Sequence, residues 1–151
     1  MKILAYDPFV TQLPEEFEGW VELCDMEKVI TTCDILSVHI PLTPETKGII
    51  STKELAMMKQ GAYVINTARG GIVDEMALYE ALKSGHLNGA AMDVVESEPM
   101  TPDHPLLSLE NVVVTPHIGM YSKEAISAVS EICAENVVAC LTGGELRNRV
   151  V

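Results

Sequence analysis

The stretch VINTARGGIVDE, Val64 to Glu75, sets an always-charged arginine and two glycines between an apolar, β-branched run and the acidic pair that opens a helix. A strand running into a sheet core does not end on an arginine unless the fold opens there. In α/β proteins the opening at a strand's carboxyl end is where ligands bind. The strand is read as AYVINTA, 62 to 68, and the helix as 74 to 84, opened by Asp74 and stopped at Gly85. Strand, glycine turn and helix make one unit, and the question it raises is what Arg69 holds.

The same unit recurs on either side. KILAYD (2 to 7), ILSVHI (35 to 40), GAAMDVV (89 to 95) and NVVVTPH (111 to 117) read as strands apolar on both faces. Residues 51 to 58 read as a helix with Ser51 and Glu54 at capping-box spacing. A last helix, about 122 to 142, carries Ile126, Val129, Cys133, Val137 and Leu141 on one face and ends at Gly143 and Gly144. Alternation of strand and helix predicts an α/β fold, a parallel sheet with helices on both faces. Met57, Met58, Met76 and Met92 sit at core-like spacing and read as packing.

Composition narrows the function. The 151 residues, 48% of them hydrophobic, suffice for one domain with a sizeable core. Ten basic against 22 acidic side chains give a formal charge of −12, which argues against nucleic acid or an anionic membrane as a general partner. The cysteines, Cys24, Cys33, Cys133 and Cys140, form no C-x-x-C pair and the histidines no metal-ligand spacing, so no metal is expected. His86 and His104 fall in loops and read as solvated. The start MKILAYD reaches an aspartate too soon for a signal peptide, and no apolar run approaches membrane-spanning length. A soluble, cytoplasmic protein with reduced thiols is expected.

The strand ends carry the chemistry. Asp7 closes the first, and a carboxylate there can accept hydrogen bonds from both hydroxyls of an adenosine ribose while repelling a 2′-phosphate, which favours NAD over NADP. The competing reading is a turn aspartate before Pro8. At later ends stand Arg69, Glu98 and His117. The guanidinium fork suits a carboxylate, an imidazole can carry a proton near neutral pH, and a carboxylate can hold that imidazole in its protonated form. Singly each reads as an ion pair, a turn residue or a polar strand end. Falling together at consecutive strand ends, they suit a 2-oxo acid whose carbonyl takes a hydride and a proton.

Four ordered runs, CDILSVHIPLTPETKGII, VINTARGGIVDEMALYEAL, GAAMDVVESEP and VVVTPHIG, resemble the D-isomer-specific 2-hydroxyacid dehydrogenases, from Lys2 to about Gly144. The resemblance implies a Rossmann-like NAD-binding domain of a phosphoglycerate or glycerate dehydrogenase type, acting on a small 2-hydroxy or 2-oxo acid. It implies that Arg69 binds substrate, His117 is the acid/base and Glu98 its partner. Asp7 is then the ribose-binding acid. Asp93, with the backbone at Thr67 and Ala68, holds the nicotinamide carboxamide; the backbone from His39 to Pro41 passes the adenosine, and Gly119 is counted with the cofactor-binding positions.

The chain also departs from that family. No G-x-G-x-x-G turn occurs in it, so the expectation is an incomplete doubly wound parallel sheet lacking its first strand and glycine-rich loop. Residues 1–151 are then a single truncated NAD-binding domain without the substrate-binding domain. Keeping the family's strand order leaves a slot between residues 2–7 and 35–40, and the expectation is that 2–7 closes onto 35–40 or pairs with a second copy as a homodimer. The segment 35 to 117 should keep four consecutive strands as neighbours. Met120 replaces the family's second glycine after the histidine, and MYSKEA resembles a run in the dehydrogenase-like C-terminal-binding-protein corepressors. A non-catalytic dehydrogenase-like module is therefore the competing function.

Overall fold

The β-branched runs fold into strands and the capped stretches into helical crossovers, in the alternation that parallel pairing requires. A computed structural model describes residues 1–149; Val150 and Val151, the end of the expected 1–151 domain, lie outside the described residues. The chain forms two compact units, Met1–Pro116 and one that starts at His117.

In the first unit β1 (Ile3–Ala5) pairs in parallel with β2 (Val21–Leu23), Ile3 opposite Val21 and Ala5 opposite Leu23. The helix α1 (Met26–Thr32) starts at Asp25, whose carboxylate accepts the Lys28 N–H at 2.7 Å. A second sheet follows in chain order, β3 (Ile35–Val38), β4 (Tyr63–Asn66), β5 (Gly89–Met92) and β6 (Val112–Val114), every pair parallel. Between them α2 (Thr52–Met57) carries the Ser51 and Glu54 capping box and α3 (Glu75–Lys83) the Asp74 cap. Four consecutive neighbours from 35 onward is the arrangement the sequence implied.

Alternation along these strands decides where the core sits. Leu36, Val38, Val64, Ala90 and Met92 point to one face, where Ile30 of α1, Leu55 of α2, and Leu78 and Leu82 of α3 close over them. Val64 and Leu78 are fully buried, and each such side chain contributes about 1.5–3 kcal/mol by leaving water. On the opposite face Ile35, Tyr63 and Val113 are exposed.

Several expectations are corrected. Residues 2–7 do not close onto 35–40: β1 takes β2 as its partner, and among the described residues no strand ladder joins β1 to β3. In a 3-2-1-4-5-6 sheet, strands 3 and 2 can pair without strand 1, which is the pairing observed. Neither β2 nor α1 was anticipated, because the alternation of VEL runs for only three residues and the β-branched residues of MEKVITT weaken a helical reading. Met76 is exposed rather than packed. His86 is not simply solvated, since its Nε2 lies 3.0 Å from the Leu55 carbonyl.

The second unit contains α4 (Lys123–Thr142), ended by Gly143 in the left-handed conformation at φ 73°. Contrary to the sequence reading, α4 is long and apolar enough to cross a membrane by length and composition, with a mean hydropathy of 1.4. Glu131 and Glu135 lie within it, the first accepting the Ser127 hydroxyl at 3.1 Å and the second paired with Arg147 at 3.2 Å. Carboxylates near a helix centre cost about 3 kcal/mol each in hydrocarbon, which favours a water-facing amphipathic helix.

Candidate functional site

Parallel register brings the strand ends level. Val38 stands opposite Asn66, Asn66 opposite Met92, and Met92 opposite Val114. The residues that follow, His39, Thr67, Asp93 and Thr115, therefore leave the sheet along one edge. Hydrogen bonds carry the row one step further, from Asp93 N to Asn66 O and from Thr115 N to Met92 O, both 2.9 Å.

Asn66 shapes the turn that carries Arg69. It occupies a core-facing position and is fully buried, where an amide left without partners costs about 1–3 kcal/mol. Both of its ends are used: Oδ1 accepts the Ala68 N–H at 3.0 Å and Nδ2 donates to the Arg69 carbonyl at 2.9 Å. The chain is thereby folded over its own strand end, leaving Thr67 and Arg69 exposed. Arg69 Nη1 donates to the Ala68 carbonyl at 2.6 Å, and the side chain is exposed. Sequence reasoning missed Asn66; the signal was an amide at the inward parity of an apolar strand.

The turn is held from two further sides. A side chain on Gly70 would put its Cβ 1.9 Å from the Val95 carbonyl oxygen, so the ARGG backbone lies directly against the segment leaving β5. Beyond it Ile72 and Val73 are buried and the chain pairs with residues 48–50, through Gly48 N to Gly71 O at 2.8 Å, Ile50 N to Ile72 O at 3.2 Å and Asp74 N to Ile50 O at 2.9 Å. The glycine turn of the sequence reading is a fixed ledge.

The segment after β5 supplies two carboxylates in different settings. Asp93 is buried and its Oδ1 accepts the Thr115 hydroxyl. Glu98 is exposed, and its Oε1 accepts the Val95 N–H at 3.1 Å. The Arg69 turn and the Glu98 loop are thus seated back to back through Gly70 and Val95. His104, read as solvated, instead contacts Glu75 at 3.0 Å with only 19% of its side chain exposed.

After β3, His39 lies 2.8 Å from the Ser37 hydroxyl, and the Pro41 carbonyl accepts the Thr46 hydroxyl at 2.7 Å. Asp7 follows β1, exposed, with Oδ1 accepting the Phe9 N–H at 2.8 Å. That bond realises the turn reading of Asp7. His117 and Gly119 belong to the second unit, where His117 has φ 54°. A left-handed conformation at a residue other than glycine costs about 1–3 kcal/mol, and such strain clusters at functional positions. Ser122 caps α4 downstream, accepting the Ala125 N–H at 3.0 Å.

Residues 1–119 match the family described as "D-isomer specific 2-hydroxyacid dehydrogenase, NAD binding domain". The D-3-phosphoglycerate dehydrogenase of Archaeoglobus fulgidus is 49% identical over 150 residues, covering 99% of this chain and 28% of that protein. The glyoxylate reductase of Korarchaeum cryptofilum is 46% identical, over 95% of this chain and 43% of its own length. Among solved structures, the TT0316 protein from Thermus thermophilus superposes with a TM-score of 0.90 at 40% identity, over 100% of this chain and 46% of that one. The NAD complexed form of a D-isomer specific 2-hydroxyacid dehydrogenase from Lactobacillus delbrueckii ssp. bulgaricus does so at 0.86 and 34%, over 99% and 48%. The chain thus spans less than half the length of these proteins.

Proposed function

The chain belongs to the D-isomer-specific 2-hydroxyacid dehydrogenase family, and on that premise we propose that it is the NAD-binding portion of an oxidoreductase interconverting a small D-2-hydroxy acid and its 2-oxo acid. The observation that carries this reading is the Arg69 turn seated through Gly70 against the loop that bears Glu98. A carboxylate-binding fork and a histidine's acidic partner both need fixed positions, and this contact fixes the backbone under each.

NAD fits the residues present. Asp7 offers an exposed carboxylate at the end of β1 for a ribose. The Thr67 and Ala68 backbone, with Asp93 between Thr115 and the strand edge, offers a polar cradle for a carboxamide. The His39 to Pro41 backbone and Gly119 complete the proposed cofactor contacts. When bound, NAD supplies the acceptor or donor of hydride.

The chain's residues do the rest. Arg69 grips the acid's carboxylate in two parallel hydrogen bonds and orients its carbonyl. His117 Nε2 gives a proton to the carbonyl oxygen during reduction and takes it from the hydroxyl during oxidation. Glu98 is taken as the acidic partner that family membership implies for this histidine. The free thiols at Cys24 and Cys33 suit a reducing cytoplasm, which we take as the compartment.

The test uses a hybrid in which this chain replaces the matching 150 residues of the archaeal phosphoglycerate dehydrogenase. His117→Ala should lower turnover with 2-oxo acids about a hundredfold or more, the usual scale for a general acid/base. Turnover at the parent rate would overturn the mechanism.

A further inference from the structure

Glu75 and His104 lie outside the residues assigned so far, yet they tie down both ends of the loop that carries Glu98. Glu75 is the first residue of α3, a helix anchored by the fully buried Leu78 and the nearly buried Leu82. One of its oxygens, Oε1, accepts the Glu96 N–H at 2.6 Å, and the other, Oε2, meets His104 Nε2 at 3.0 Å. The pair is largely enclosed, with 10% of the Glu75 side chain and 19% of the His104 side chain exposed. His104 Nδ1 accepts the Leu106 N–H at 3.3 Å, so the ring's proton sits on Nε2 and points at the carboxylate. One carboxylate therefore clamps residue 96 and residue 104, with Glu98 between them.

We propose that Glu75 is a positioning residue for Glu98, acting through the Glu96 N–H and His104 to hold the 96–104 loop against α3. The role rests on the dehydrogenase reading above. The linkage is short. Glu98 Oε1 is bonded to the Val95 N–H, so its carboxylate is tied to residue 95, whose carbonyl forms the next peptide, 95–96. That peptide is gripped from one side by Glu75 and from the other by the Gly70 backbone. The exposed Lys47–Glu96 pair at 3.0 Å adds a surface contact at the same point, of little strength on its own. With the clamp removed, the 95–96 peptide would keep the Gly70 contact and the weak Lys47–Glu96 pair but lose its tie to α3.

Two measurements test this. In the 151-residue chain, Glu75→Ala should quicken amide exchange at Glu96. Glu75→Gln can serve either Glu96 or His104 but not both, and should fall between that variant and the parent. In the hybrid enzyme, Glu75→Ala should lower kcat about ten- to a hundredfold, the scale of a displaced catalytic group, with KM for the 2-oxo acid within about twofold. Adding it to Glu98→Gln should cost almost nothing further, because both changes act through one group. Multiplying effects in the double variant, or unchanged exchange at Glu96, would overturn the proposal. Glu98→Gln at parent turnover would instead overturn the dehydrogenase reading and the positioning role with it, while the exchange result would still report the clamp.

Discussion

Asn66 shows how one buried side chain can fix the turn at a strand end. Its amide satisfies the Ala68 N–H and the Arg69 carbonyl from a site with no access to water. Asn66→Leu removes both partners at once and leaves two backbone groups unpaired, so urea denaturation should show a loss of about 2–4 kcal/mol. A loss under about 0.5 kcal/mol would mean that the turn relaxes without the amide. Arg69 was legible in the sequence because a permanent charge at the end of an apolar run has few structural explanations. Asn66 was not, since asparagine in a strand reads as a weak β-former until the parity of the whole sheet is known. The Glu75–His104 pair, 29 residues apart, was invisible for the same reason: neither partner is unusual in its own segment.

At the scale of elements, local signals served well where caps were strong. The Ser51 box and the Asp74 cap placed α2 and α3, and Gly143 placed the end of α4. They failed for β2 and α1, whose identity comes from what they meet rather than from pattern. Glu22 of β2 illustrates this: Lys2, at 2.6 Å beside β1, and Lys28 of α1 converge on its carboxylate. First by the hydrogen bond from Lys2 and then by that from Lys28, its pKa is lowered from 4.5 to about 2. A depressed carboxylate pKa means that this tie is present above the ordinary value of 4.5 and is lost as pH falls through about 2. Carboxyl NMR of Glu22 should therefore show a midpoint well below that of a free glutamate. Because the cluster is exposed, molar salt should move the midpoint back up, and a midpoint at 4.5 in low salt would refute the bracket.

Across the whole molecule, what was legible was the parallel α/β architecture, with its strand ends level along one edge; what was not was how β1 would pair. The absence of a glycine-rich turn from the sequence matters more for binding than for folding. In dinucleotide folds that turn and the helix behind it give the pyrophosphate its backbone donors and a favourable dipole. With only Asp7 and Asp93 proposed for the two ends of the cofactor, calorimetry on the 151-residue chain should find poor NAD binding, and micromolar binding would sink that expectation. A homodimer through the open edges of β1 and β3 is the oligomer we propose, readable by sedimentation.

The separation of the two sheets also orders events in time. No residue of β1 or β2 is fully buried, and a lone two-stranded pair is marginal in water. The β3–β6 sheet, by contrast, holds Leu36, Val64 and Met92 against α1 to α3. The folding transition state should therefore be built from the second sheet, with β1 and β2 docking on the downhill side. Val64→Ala should slow folding with a φ-value above about 0.5, whereas Leu4→Ala should speed unfolding alone with a φ-value near zero. Stopped-flow chevrons on the two variants read this order directly, and a reversed pair of φ-values would place the nucleus in the smaller sheet.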